Sequence, residues 1–277
     1  MPAVVFVFIV CCLAGKTLAT DKKAEIAYVK WAEAIATAHL AEAVLEEKMG
    51  YDIELKSLGV EAMWQAIAAG DIDATTCAWL PGTHGSYLAD LKDKVNDLGA
   101  NLEGARIGLV VPEYVEIDSI KDLNANAEKF KNKIIGIDSG AGIMARTQEA
   151  IRQYEIDNMN LIAGSDASMT AILEDKIDKK QWVVVTGWTP HWMFGKWELK
   201  YLDDPLNVFG ACETINTIVR KGLKNEKPDL YAFLSAFKLS LDDLHEIMCL
   251  NYENPNPGQN ALKWIKENPE KINKWLP

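Results

Sequence analysis

Three tryptophans stand close behind strand-like runs. Trp31 follows Ile26-Ala27-Tyr28-Val29, Trp79 follows Ala74-Thr75-Thr76-Cys77, and Trp188 follows Val183-Val184-Val185-Thr186-Gly187. In an open α/β sheet, ligands bind in the crevice beyond the carboxyl ends of the strands. Three indoles at such ends can share one crevice. Each ring face attracts a cation through its quadrupole, by roughly 0.5–2 kcal/mol per contact once water is excluded. Together they form an electron-rich box suited to a permanent cation. Any one of them alone reads more readily as a core aromatic; three at equivalent strand ends favour a site. Of the nine tryptophans, Trp64, Trp264 and Trp275 sit in helical patterns and read as core. Trp182 opens a strand at the end away from the crevice, and Trp192 and Trp197 follow the Trp188 turn as lesser candidates.

The run Asp138-Ser139-Gly140-Ala141-Gly142-Ile143 is a strand–loop–helix junction with two glycines. Small residues let a ligand approach the backbone, and the first free N–H groups of the helix attract an anion. The loop lacks the GxGxxG spacing of a dinucleotide site, and no P-loop lysine follows. It suits a single carboxylate better than a pyrophosphate. His84, five residues after Trp79, is close enough to the box to donate to an anion, although a lone loop histidine is more often a surface residue. A permanent cation joined to a carboxylate is a zwitterion. The competing chemistry is hydrolysis, because His84, Ser139 and Asp138 supply the residue types of a triad. Ser139 lies in no GxSxG elbow, and nothing in the sequence sets a histidine beside it.

Composition narrows the classes. A formal charge of −11 over 277 residues argues against a nucleic-acid binder, which would carry a basic patch. It fits a soluble monomer. The four histidines have no metal-ligand spacing, and neither a metal nor a cofactor is expected. Residues 1–19 read as an export signal: Val4–Val10 is apolar, and Thr17-Leu18-Ala19 puts small residues at a cleavage site after Ala19. No Lys or Arg precedes the apolar run. A lipid anchor would fall on Cys12, behind a Cys11 bulkier than the small residue usual there, so a cleaved leader is the preferred reading. The expected location is periplasmic or extracytoplasmic. Cys77, Cys212 and Cys249 remain, an odd number without CxxC spacing, and read as buried free thiols.

Strand-like and helix-like runs alternate, the mark of an α/β fold with largely parallel sheets. Strands are expected at 25–30, 53–57, 74–79, 107–112, 134–137, 159–163, 183–186 and 213–220. Helices are expected at 32–49, 62–69, 143–154, 168–176, 228–249 and 257–275. The last strand leads back towards the first unit. This gives two lobes, 20–110 plus 212–277 and 111–211, joined by two crossings.

Several stretches together resemble the glycine betaine/proline betaine-binding receptors of ABC importers. They are Val29-Lys30-Trp31, Trp79-Leu80-Pro81-Gly82-Thr83-His84, Gly108–Pro112, Asp138–Met144 and Thr186-Gly187-Trp188-Thr189-Pro190-His191-Trp192. The similarity runs from about residue 24 to the early 250s. It implies a two-lobed periplasmic-binding-protein fold, type II-like, with a two-strand hinge. It also implies a three-Trp prism matching Trp31, Trp79 and Trp188. The ligand carboxylate would be held by the backbone amides of Gly142 and Ile143, with His84 as a second donor. The implied partners are glycine betaine, proline betaine or a similar zwitterion, and the membrane permease of an ABC importer. A receptor tuned to choline, carnitine or a sulfonium zwitterion is the close alternative.

Overall fold

The computed structural model describes residues 22–277. The leader read at 1–19, with Cys11 and Cys12, lies outside the described residues. From the N-terminal side come β1 (Lys23–Tyr28), α1 (Ala32–Met49), β2 (Asp52–Ser57), α2 (Val60–Ala69), β3 (Ala74–Leu80) and α3 (Gly85–Leu91). A long strand, β4 (Val95–Pro112), then leads into β5 (Lys133–Ile135), α4 (Gly142–Gln153), β6 (Asn160–Ile162) and α5 (Asp166–Asp178). The middle block ends with β7 (Val185–Thr189), α6 (Met193–Lys196) and β8 (Leu199–Tyr201). The chain closes with β9 (Glu213–Arg220), α7 (Leu223–Glu226), α8 (Pro228–Ala236), α9 (Leu241–Glu253), α10 (Pro257–Glu267) and α11 (Pro269–Asn273).

The strands run in the order β2-β1-β3-β9-β4-β7-β5-β6, with β8 also on β4. Parallel pairing is confined to the outer strands, β1 with β2 and β3, and β5 with β6 and β7. Every pairing made by β4 and β9 is antiparallel. The sheet is therefore mixed rather than largely parallel. The strands that return the chain between lobes must run against their neighbours.

β4 joins the lobes. Its first part pairs with β9 as far as Ala105 opposite Glu213, and from Arg106 opposite Thr189 it pairs with β7. The outgoing and returning crossings thus lie side by side at Ala105 and Glu213. Only the second part of β4 is legible as a strand in sequence. Val95–Ala105 contains three register shifts, and Gly99 and Gly104 sit at φ 86° and 80°. Bulges of this kind break the alternation that marks a strand.

α1 forms because its eighteen residues are rich in alanine, the best helix former. It ends where Gly50 takes φ 69°, its N–H reaching back to Glu46 O at 3.2 Å and that of Tyr51 to Leu45 O at 3.1 Å. It packs against both α9 and α10. The two expected C-terminal helices are each divided. Ser240 starts a new helix by accepting from Asp243 N at 3.1 Å, while Asp243 accepts from Ser240 N at 3.2 Å. Pro269 interrupts the second, because proline has no N–H to continue the ladder. Trp64, Trp264 and Trp275 are core residues, as their helical setting implies. Cys77 is buried, but Cys212 is exposed in the connection before β9, which corrects the reading of all three thiols as buried. No described helix is long and apolar enough to cross a membrane.

Candidate functional site

A small, tight cavity lies between the lobes. Trp31, Glu33, Trp79 and Thr83 line it from one lobe, Ile137, Ala141, Gly142, Ile143 and Trp188 from the other, and Ile107 from the joining strand β4. Five of the six residues singled out from sequence therefore line one cavity: Trp31, Trp79, Gly142, Ile143 and Trp188. Trp31 is the N-cap residue of α1, just past β1. Trp79 and Trp188 are the penultimate residues of β3 and β7, inside the strands rather than beyond them. All three indoles are buried.

Glu33 is the feature that sequence reading missed. It is fully buried, and its two oxygens accept Trp79 Nε1–H at 3.2 Å and Trp188 Nε1–H at 2.8 Å. One carboxylate thereby fixes two indoles from opposite lobes. Burial pushes its pKa up to about 7, against the lowering effect of its own backbone N–H and of Trp188. In sequence it looks like an ordinary acid in the first turn of a helix, where the dipole favours negative charge. The available signal was its place two residues after a box tryptophan.

The glycine loop ends at α4. Ala141 N donates to Asp138 O at 2.9 Å, and Met144 N to Ala141 O at 3.0 Å. Among the described residues nothing accepts the N–H groups of Gly142 and Ile143. Two free amides at a helix N-terminus suit an anion. Gly142 also has no room for a side chain, since a Cβ there would meet Thr83 O at 2.6 Å and Thr83 Cγ2 closer still. The lobes touch at this point, so the cleft is closed. Glu213, buried at the crossing, accepts from Gly82 N at 3.1 Å, from Thr83 N at 2.9 Å and from the Thr83 hydroxyl. It shapes the loop that carries Thr83 to the cavity. Neither Glu213 nor Thr83 was singled out from sequence.

His84 does not line the cavity. It lies behind Trp31 at 5.9 Å between ring centroids, and against Trp64 and Tyr87 at 6.1 Å each. Its Nδ1 accepts Trp79 N–H at 3.1 Å, so Nε2 carries the proton, and burial lowers the ring pKa to about 3. Among the described residues Nε2 has no partner, and the same holds for Trp31 Nε1. Asp138 and Ser139 are exposed while His84 is fully buried, so these three residues do not assemble into a triad. Trp192 stacks on Tyr252 at 4.1 Å and packs on Trp197 at 5.5 Å, away from the cavity wall. No group of three or more potential metal ligands occurs among the described residues.

Residues 22–267 match the family described as the substrate binding domain of ABC-type glycine betaine transport systems. The glycine betaine/carnitine transport binding protein GbuC of Listeria monocytogenes is 49% identical over 160 residues, 57% of this chain and 52% of that protein. The match spans about half the length of this curated relative. The crystal structure of a glycine betaine, L-proline ABC transporter binding protein (ProX) from Borrelia burgdorferi superposes with a TM-score of 0.88 at 38% identity, covering 92% of this chain and 97% of that one. Lactococcal OpuAC, in its closed-liganded conformation with glycine betaine, gives 0.88 at 37% identity, covering 93% and 100%.

Proposed function

This chain belongs to the substrate-binding domain family of ABC-type glycine betaine transport systems, and we propose that it captures glycine betaine or a similar quaternary-ammonium zwitterion for an importer. One observation carries the reading. Three indoles from both lobes, and the two residues whose helix amides are free, line the same small cavity. The indoles Trp31, Trp79 and Trp188 would hold the methylated cation by their ring faces. The amides of Gly142 and Ile143 would receive the carboxylate, and His84, set behind Trp31 and off the cavity wall, would back the box. The protein would work outside the cytoplasm as a monomer and hand its ligand to a membrane permease. The lobes we assign are 20–110 with 212–277, and 111–211. Binding at a cavity walled by both would hold them together.

Glu33 favours a second ligand class. A buried carboxylate beside an aromatic box attracts a net cation, and that supports choline as an alternative guest. Calorimetric titration of the mature protein against glycine betaine, proline betaine, carnitine, choline and a sulfonium zwitterion tests both readings. Tightest binding by a carboxylated ligand supports the betaine reading. Tightest binding by choline supports the alternative, and heatless mixing with every member of the panel refutes both.

A further inference from the structure

Asp166, the first residue of α5, spans the cleft. Its Oδ2 accepts the N–H of Ala32, the first residue of α1 in the other lobe, at 3.0 Å. Its Oδ1 receives His191 Nε2 at 3.0 Å, and His191 Nδ1 accepts Met193 N–H at 3.1 Å, which leaves the ring proton on Nε2 to be donated. The carboxylate is largely buried and both its oxygens are engaged. α5 does not need it as a cap, because Ser165 supplies that by accepting from Ser168 N at 3.2 Å. α1 does need it, because its own N-cap, Trp31, offers no side-chain acceptor. Asp166 therefore caps a helix that belongs to the opposite lobe. It sits at two helix N-termini, where negative charge is favoured, with Glu33 as the nearby charge that opposes it.

The arrangement surrounds the box. Ala32 follows Trp31 directly, and the His191 ring stands edge-on to Trp188 with centroids 4.7 Å apart. When the lobes part, Ala32 N–H and Asp166 are both returned to water, so this bond exists only in the closed form. We propose that Asp166, held by His191, is the latch of the closed state and sets how fast ligand leaves, an inference that rests on the betaine-binding reading above. Closing brings the carboxylate to an uncapped helix end, and opening must break a hydrogen bond to a charged acceptor. The latch touches no ligand. It acts on how long the box stays shut rather than on which molecule fits.

Stopped-flow tryptophan fluorescence with glycine betaine, on wild type, Asp166→Ala and Asp166→Asn, tests this. Asp166→Ala is expected to release ligand about tenfold faster, equivalent to about 1.4 kcal/mol, with association within about twofold of wild type. Asp166→Asn, which keeps one acceptor oxygen, should fall between. The melting temperatures of the ligand-free proteins should be nearly the same. An unchanged release rate overturns the latch. So does slowed association together with a lowered ligand-free melting temperature, which would mark Asp166 as an element of the fold. If wild type gives no signal with glycine betaine, the ligand reading fails. The latch is then read from the same release rates with the member of the ligand panel that wild type does bind; an unchanged release rate in Asp166→Ala there overturns it.

Discussion

Trp188 and Glu33 lie 155 residues apart in sequence, yet Trp188 Nε1 donates to Glu33 Oε2 at 2.8 Å across the cleft. The other oxygen of Glu33 holds Trp79. Two of the three box indoles are thus oriented by a single carboxylate whose own ionisation is finely poised.

That poise gives a pH dependence. Glu33 has its pKa raised by burial from 4.5 to about 7. In the ligand-free fold, protonation is therefore favoured relative to the unfolded chain. The resulting stabilisation is complete below about pH 4.5 and is lost as pH rises to about 7. A permanent cation in the box reverses the preference and favours the carboxylate. Affinity should rise with pH up to about 7, by at most about tenfold per unit, and level off above. His84 titrates near 3 and does not contribute in this window. Calorimetry at pH 5.5, in buffers of different ionisation enthalpy, should detect proton release on binding. Glu33→Gln should abolish both the release and the slope. A flat profile in wild type would show that the cation does not sense Glu33.

Removal of Trp188 should do more than delete one ring face, because it leaves Glu33 Oε2 without its donor and opens the box to water. Trp188→Ala is expected to weaken binding by on the order of 2–4 kcal/mol, and Trp188→Phe by less. Trp264→Ala, far from the cavity in a fully buried core position, should cost roughly 3–5 kcal/mol of stability and leave ligand preference unchanged. Titration and thermal melts of the three proteins separate the effects. Wild-type affinity in Trp188→Ala would remove Trp188 from the box.

Gly142→Ala tests closure without touching an aromatic ring. The new methyl would fall within 2.6 Å of Thr83 O, a backbone atom in the opposite lobe. Each lobe can still fold alone around the substitution, so thermal stability should change little. The closed state should be disfavoured, and affinity should drop by about tenfold or more. Small-angle scattering should show less compaction at saturating ligand than in wild type. Full affinity would mean that the two loops separate at negligible cost.

Much of this site was legible because chemistry and periodicity coincide in it. Trp31, Trp79 and Trp188 are found from the strands before them, and Gly142-Ile143 from the glycine turn before a helix. Glu33, Asp166 and Glu213 were not. Each is an acid at an element end, where the sequence offers an ordinary explanation, and each acts on residues more than a hundred positions away. The fold followed the same rule. α1 and β9 have regular patterns and were located to the residue, whereas the bulged first part of β4 carries no alternation to read.

The anionic end of the ligand separates the two guest classes. Choline carries the same trimethylammonium head as glycine betaine but a hydroxyl in place of the carboxylate. The box should treat the heads alike, so the affinity gap reports on the amides of Gly142 and Ile143. Hydrogen bonds to a charged group contribute roughly 1.5–3 kcal/mol each. Choline retains some contact through its hydroxyl but loses the charge, so it should bind at least about 2 kcal/mol more weakly, more than tenfold. Against this, ionised Glu33 favours the net cation, and the gap should narrow as pH rises through 7. His84→Ala divides two roles for that ring. If Nε2–H serves the carboxylate, betaine weakens and choline does not. If the ring only supports Trp31 and the Trp79 backbone, both ligands weaken equally and the melting temperature falls with them. Titration of both ligands against wild type and His84→Ala, at pH 6 and pH 8, distinguishes these outcomes. Choline binding as tightly as betaine in wild type at pH 6 would refute the carboxylate half of the site and leave the aromatic half standing.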